Sequence, residues 1–289
     1  MYVPTDLHGH TIFSDGRATP EEYVELRRGH GFRLIAIADH DLLAAVPRGA
    51  AAAARAGVAF LPAVEVTAFF HFGTSLAEQV HLLAYFPPHV AAPPLLRRTA
   101  LWQRGVRVQA RWRELVLEWV AGLPEGDRAA LGEADLVAMA PADFPATQST
   151  IDRITRRRPE LFDAFRRHHI RFWEDDRELF GWDPEAAIDF IRSDGATDVV
   201  AHPGRYRDAD RTLAICARAT GIEVYTSRHR GEVAKTWRDF AEANGKLWTA
   251  STDDHQNAAY ARPPCGTPVS TVERLLGHAL PIEEILAGR

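Results

Sequence analysis

Along the chain, short apolar runs alternate with segments of helical spacing. The runs "RLIAIAD" (33–39), "VAFLPAVEV" (58–66), "QVHLLAYF" (79–86), "TDVVAHP" (197–203), "IEVYT" (222–226) and "KLWTAST" (246–252) are β-branched or aromatic and bounded by turn residues. They read as buried strands, with a further short strand just before "HGH". Between many of them lie helical patterns. In "TPEEYVELRRGHG" Thr19 is placed as N-cap, Pro20 as first helical residue and Glu22 as partner in a capping box, with Gly29 or Gly31 as the stop. "DPEAAIDFIRSDG" (183–195) repeats the Asp-Pro-Glu start, and "GEVAKTWRDFAEANG" (231–245) ends on glycine. The Ala-rich "RGAAAAARAG" also reads as helix. Strand, helix, strand, helix predicts an α/β fold with parallel strands and outer helices, either an open sheet or a barrel.

From about residue 93 to 181 the rhythm stops and no strand pattern is found. "LLRRTALWQRGVRVQARWRELVLEWVAGL" (95–123) and "STIDRITRRRPELFDAFRRHH" (149–169) have helical spacing, the second on both sides of Pro159. This stretch is expected to be a helical insertion, 93–181, capping a domain built from 1–92 and 182–289. From 91 to 180 there are 15 Arg against 14 Asp plus Glu, or +1, so the rest of the 289-residue chain carries −6 of the net −5. The arginines read either as a solvated helix face or as a binding surface.

Composition narrows the function classes. At 46% hydrophobic residues the chain is expected to be packed and globular. A net charge of −5 argues against a general nucleic-acid coat, so no stable nucleic-acid complex is expected, though a small anionic substrate remains open. Cys216 and Cys265 show no CxxC spacing, which argues against a disulfide framework or thiolate zinc and fits a reducing, cytoplasmic setting. No signal peptide and no run of 18 apolar residues is found, so no membrane span is expected. Oligomeric state is not legible.

The polar residues of interest fall on strands or just past their ends. His8 and His10 follow the first strand, His40 the second; Glu65 ends the third and His81 lies on the fourth. His202, Asp253 and His255 end later ones. In parallel α/β architectures that face carries the site. Burying so many ionisable groups without counter-charge would be very costly, and divalent cations supply it. Imidazoles and carboxylates without cysteine suit Zn, Mn or Fe. With Asp15 the candidates number nine, more than one tetrahedral site holds, which predicts two or three ions. In an extended "HGH" both imidazoles point the same way and can grip one ion. Asp6 and Asp39 are expected to orient imidazoles rather than bind metal.

"DLHGHT", Asp15, "ADHD", "VEV", "AHPGRY" and "DDH", in that order, resemble the polymerase and histidinol phosphatase (PHP) superfamily. The resemblance covers about 1–90 and 183–260. It implies a distorted (β/α)7 barrel with up to three metals at the strand ends. His8, His10, Glu65 and Asp253 would hold the first ion. Glu65 would bridge to a second, bound also by His81 and His202. Asp15, His40 and His255 would hold a third. Where the family motif commonly has Phe, this chain has Asp254, an extra acid beside the site. Where relatives carry an Arg-x-His run in the insertion, it reads "QSTIDRITRRR".

Within the family, "HPGRY" and the insertion most resemble stand-alone phosphoesterases. These act on nucleoside 3′,5′-bisphosphates and short RNAs, using a metal-activated hydroxide. No P-loop or GxSxG motif offers another route. Arg205, Arg228 and His229 are candidates for phosphate contact, and Arg153 and Arg156 for the leaving group. The alternatives are a histidinol-phosphate or other small-molecule phosphatase, and a non-catalytic, metal-stabilised module. The complete ligand set argues against the last.

Overall fold

The structure, a computed structural model, describes residues 1–174, 176–229, 231–255, 266–277 and 285. Two short strands, β1 (Tyr2–Val3) and β9 (Thr267–Pro268), pair antiparallel beside a seven-stranded sheet. The sheet's spatial order follows the chain: β2 (Thr5–Asp6), β3 (Leu34–Ile37), β4 (Ala59–Phe70), β5 (Glu78–Tyr85), β6 (Thr197–Val200), β7 (Gly221–Tyr225) and β8 (Leu247–Ala250). Its outer edges curl towards each other. Beyond β2 and β8, the Asp253 N–H donates to the His8 carbonyl at 2.8 Å and the His10 N–H to the Asp254 carbonyl at 3.1 Å, with Gly9 and Asp254 in a parallel bridge. The sheet is a distorted barrel.

Period-two alternation divides the apolar residues between the two faces. Leu34, Ala36, Ala38, Leu61, Ala63, Leu83, Tyr85, Val199 and Ala201 form one buried cluster, the barrel interior. Their neighbours Ile35 and Ile37, and Val64, Val66, Leu82, Ala84 and Val200, pack on the other face against helices. The predicted starts govern those helices. Thr19 and Glu22 form the reciprocal capping box of Pro20–Gly29, and the Asp183 carboxylate accepts the Ala186 N–H at the start of Pro184–Ser193.

The expected all-parallel order fails at one strand. β5 runs antiparallel to both β4 and β6. The reason is strand length. β4 does not stop at Val66 but continues to Phe70, which leaves too few residues before Glu78 for a crossover. The chain turns directly instead, with His71 and Gly73 at positive φ. Glu65 therefore lies mid-strand, facing Leu83 across the ladder.

Between β5 and β6 the described residues hold only helical elements and connections. The longest helix, Ala100–Ala121, is followed by Glu125–Leu131, Glu133–Ala138, Thr147–Arg157 and Phe162–His169. They enclose a core of their own around Trp112, Leu115, Phe165, Phe172 and Phe180. This body is tied to the barrel at Asp41, which has φ 56°. The Asp41 carboxylate accepts from Arg104 at 2.5 Å and from the Thr67 N–H at 2.9 Å, and Arg104 also reaches the Leu179 carbonyl at 2.8 Å. Among the described residues no helix is long and apolar enough to cross a membrane. Cys216 is buried and Cys265 lies outside the described residues.

Candidate metal centre

Glu65 continues the interior column of β4, after Leu61 and Ala63. His81 continues that of β5, after Tyr85 and Leu83 read backwards along the antiparallel strand. Both columns thus end at the same mouth of the barrel. There Glu65 Oε1 lies 3.3 Å from His8 Nε2, 2.9 Å from His81 Nδ1 and 3.1 Å from His202 Nε2. Its Oε2 lies 3.4 Å from His10 Nε2 and 2.9 Å from His40 Nδ1. Asp15 lies 3.4 Å from His10, 3.5 Å from His40 and 3.3 Å from His255. Asp253 Oδ1 is 3.6 Å from His8 and 3.3 Å from His10. All nine residues are brought into one cluster, and His8 and His10 do point the same way. Gly9 between them has no room for a side chain, since a Cβ would come 2.5 Å from the Tyr23 hydroxyl.

Three groups in this cluster have ligand atoms within 4.8 Å of one another: His10, Asp15, His40 and His255; His8, His10 and Glu65; His40, Glu65 and His81. His8 Nε2, His40 Nδ1, both ring nitrogens of His81, His202 Nδ1 and Glu65 Oε2 are buried with no partner in good hydrogen-bond geometry, although His40 Nδ1 and His81 Nδ1 each stand 2.9 Å from a Glu65 oxygen. Buried polar atoms are ordinarily satisfied, and bare nitrogens aimed at shared carboxylates fit metal ligation. The site is strongly polarised. Burial works against the charged form of every group, but the Glu65, Glu223 and Asp253 carboxylates outweigh it and hold His8 well above its usual range. Glu65 and Asp15 do the same for His40. Burial prevails at His10, lowered to about 4. The surrounding imidazoles hold Glu65, Asp15 and Asp253 well below the ordinary carboxylate range despite their burial.

The carboxylate that orients an imidazole is one that sequence reading missed. Glu223, fully buried on β7, accepts at Oε1 from His8 Nδ1 at 2.9 Å and at Oε2 from the His202 N–H at 2.8 Å. It fixes both the His8 ring and the strained turn at His202, where φ is 30°. A charged residue at an inward position of "IEVYT" was the available signal. Asp6 and Asp39 spend their carboxylates on other groups. Asp39 accepts from the Thr11 N–H and hydroxyl, both at 2.7 Å, and from the Ser14 hydroxyl at 2.6 Å; Ser14 in turn stands 3.3 Å from His10 Nδ1. Burial pushes Asp39 up to about 6. Asp6 is engaged by Arg27 and Thr252.

A cavity of about 690 Å³ opens over the cluster. Asp15, His40, His81, Asp253 and His255 line its floor, and Arg205 and Arg228 also face it. Arg228 Nε donates to Asp253 Oδ2 at 2.6 Å, leaving Oδ1 towards the imidazoles. The far wall comes from the helical body: Trp112, Phe144, Phe172 and Trp173. Trp112 is fixed by an indole N–H donated to the Pro145 carbonyl at 3.0 Å and by edge contact with Phe172 at 5.2 Å. Three expected substrate contacts are absent from this lining. His229 stands behind it, with Nδ1 donating to the Val224 carbonyl at 2.9 Å and Nε2 accepting the Gly204 N–H at 3.0 Å. Both ring nitrogens are used in bracing the turn that carries Arg205. Arg153 and Arg156 lie towards the C-terminal end of Thr147–Arg157, whereas only the first turn of that helix, Thr147 and Gln148, reaches the cavity. Arg156 projects to solvent beside Asp152, and Arg153 lies partly buried near Arg157 and Asp135.

Residues 6–118 match the PHP domain model. The chain belongs to the PHP family. It is 28% identical over 262 residues, 86% of either chain, to the 3′,5′-nucleoside bisphosphate phosphatase of Chromobacterium violaceum. It is 31% identical over 215 residues to the 5′-3′ exoribonuclease Rnm of Salmonella typhimurium, a match spanning 70% of this chain and 66% of that one. A crystal structure from Bifidobacterium adolescentis, assigned as a metal-dependent phosphoesterase, shares the fold at a TM-score of 0.65 and 21% identity, covering 96% of this chain and 98% of that one. This PHP chain is a metal-dependent phosphoesterase.

Proposed function

We propose that the protein removes a phosphate from a nucleoside 3′,5′-bisphosphate or the end of a short oligonucleotide, in the cytoplasm, with two or three ions of Mn, Fe or Zn. The observation that carries this reading is the two-sided cavity. Its floor is the His and Asp edge of the cluster and its far wall is aromatic. Histidinol phosphate offers that wall only one small imidazole ring, whereas a nucleoside has a larger flat base to stack on it. The names of the Chromobacterium and Salmonella relatives support the same substrate class.

The ligands proposed are His8, His10, Asp15, His40, Glu65, His81, His202, Asp253 and His255. Bound ions supply positive charge for the phosphoryl oxygens and acidify water. The chain's own residues do the rest. Arg205 and Arg228 bind phosphate oxygens, and their fixed positive charge favours the extra charge of the transition state. Arg228 also keeps Asp253 turned with one oxygen towards the cluster. The helical body, 93–181, caps the site, excludes bulk water and holds the nucleoside, so that binding away from the phosphate is spent on orientation.

The test is elemental analysis of purified protein beside turnover of a substrate panel. Two or three first-row ions per chain and preference for a nucleoside 3′,5′-bisphosphate over histidinol phosphate and p-nitrophenyl phosphate are expected. Less than one ion after supplementation would remove the metal assignment, and preference for the small esters would remove the nucleoside.

A further inference from the structure

Asp254, the extra acid of "DDH", is not one of the nine proposed ligands, although it borders the cavity. Its carboxylate accepts from Arg27 Nη2 at 3.0 Å. Arg27 comes from the helix Pro20–Gly29 and is fully buried. Its Nε donates to Asp6 Oδ2 at 2.7 Å, and its guanidinium lies 4.1 Å over the Tyr23 ring. Asp6 also accepts from the Thr252 N–H and hydroxyl, each at 2.9 Å. One guanidinium thus joins Asp6, on the first strand of the sheet, to Asp254, just past the last.

These are the two edges of the barrel seam. The main chain crosses the seam between Asp253 and His8 and between His10 and Asp254, all of them ligands or their neighbours. Closing the barrel and bringing His8 and His10 against Asp253 and His255 are therefore one geometric event. A slip of a fraction of an ångström there alters ligand spacing directly, because a metal site tolerates only small deviations in ligand distance.

We propose that Arg27 and Asp254 are positioning residues for the metal centre. Their ion pair, anchored on Asp6, holds the seam at the register that sets the two ends of the chain's ligand set against each other. The proposal rests on the ligand assignment above.

The test compares Asp254→Ala with Arg192→Ala, which breaks an ion pair to Asp198 away from the seam. Manganese affinity is measured by competition with a chromogenic chelator, together with thermal stability. Asp254→Ala should weaken manganese binding roughly 10-fold, and excess manganese should restore turnover. Arg192→Ala should bind manganese as the unaltered protein does, whatever its melting temperature. Equal affinity in Asp254→Ala and the unaltered protein would overturn the proposal, as would equal weakening in both variants. If Asp254→Ala does not fold, Asp254→Asn removes the negative charge of the ion pair at nearly the same side-chain shape. An affinity below that of the unaltered protein supports the proposal and an unchanged one overturns it. An unaltered protein that binds no manganese would instead remove the ligand assignment itself.

Discussion

At the scale of single residues, the cluster separates the proposed ligands from groups that aim them, and Glu223 belongs to the second kind. It spends one oxygen on the His8 ring and the other on the backbone of His202. Such partners fix the tautomer and orientation of an imidazole, and losing one lowers metal affinity roughly 10–100-fold. Glu223→Ala should fall in that range by equilibrium dialysis, with far-ultraviolet circular dichroism unchanged; full affinity would assign Glu223 to the core alone. Residue identity was legible in the sequence where the chemistry was unusual, as in "HGH" and "DDH". Which carboxylate bonds which imidazole was not, because Asp6, Asp39 and Glu223 all sit on predicted strands. Only the register across the sheet decides between them. His229 is a similar case: it looked free to bind phosphate, but both its nitrogens are taken by main chain.

At the scale of elements, the strand runs and the capped helix starts were readable because each is a local signal. The direction of β5 was not. It depends on β4 running four residues beyond its apparent end, through "TAFF", where side chains from the barrel and from the helical body meet. The helices of that body were readable, but not the faces they present. The Arg cluster of Thr147–Arg157 drew attention by charge, yet the aromatic residues of neighbouring helices line the cavity. Stacking of a base on an aromatic side chain is worth about 1–3 kcal/mol. Trp112→Ala should therefore lower kcat/KM for a nucleoside 3′,5′-bisphosphate by about 5- to 150-fold. Turnover of p-nitrophenyl phosphate should hardly change. Equal losses on both esters would show that the indole only supports the body around it.

For the whole molecule, the charge state of the centre couples metal binding to pH. His8 and His40 are held above the usual imidazole range by neighbouring carboxylates, so in the metal-free protein they keep their protons near neutrality. Ligation requires them neutral, so loading must expel protons. Affinity then falls as pH falls, and the rise in melting temperature on adding manganese should be larger at about pH 8 than at about pH 6. Calorimetry in two buffers of different ionisation enthalpy would count the protons, and identical heats in both would contradict this account. The antiparallel β5 has a consequence of another kind, for the order in which the chain can fold. β2 to β5 are close in sequence and carry six of the nine proposed ligands, whereas the β5–β6 ladder pairs Tyr85 with Thr197 across the whole helical body. Closing a loop of that length rather than a crossover of a dozen residues costs only about 2 kcal/mol, since the entropy grows with the logarithm of length. The delay in time is larger than the loss in stability, because distant pairings form late. The N-terminal half, with six of the nine proposed ligands, would then wait for Glu223 and Asp253 of the second half before His8 and His10 are set in place.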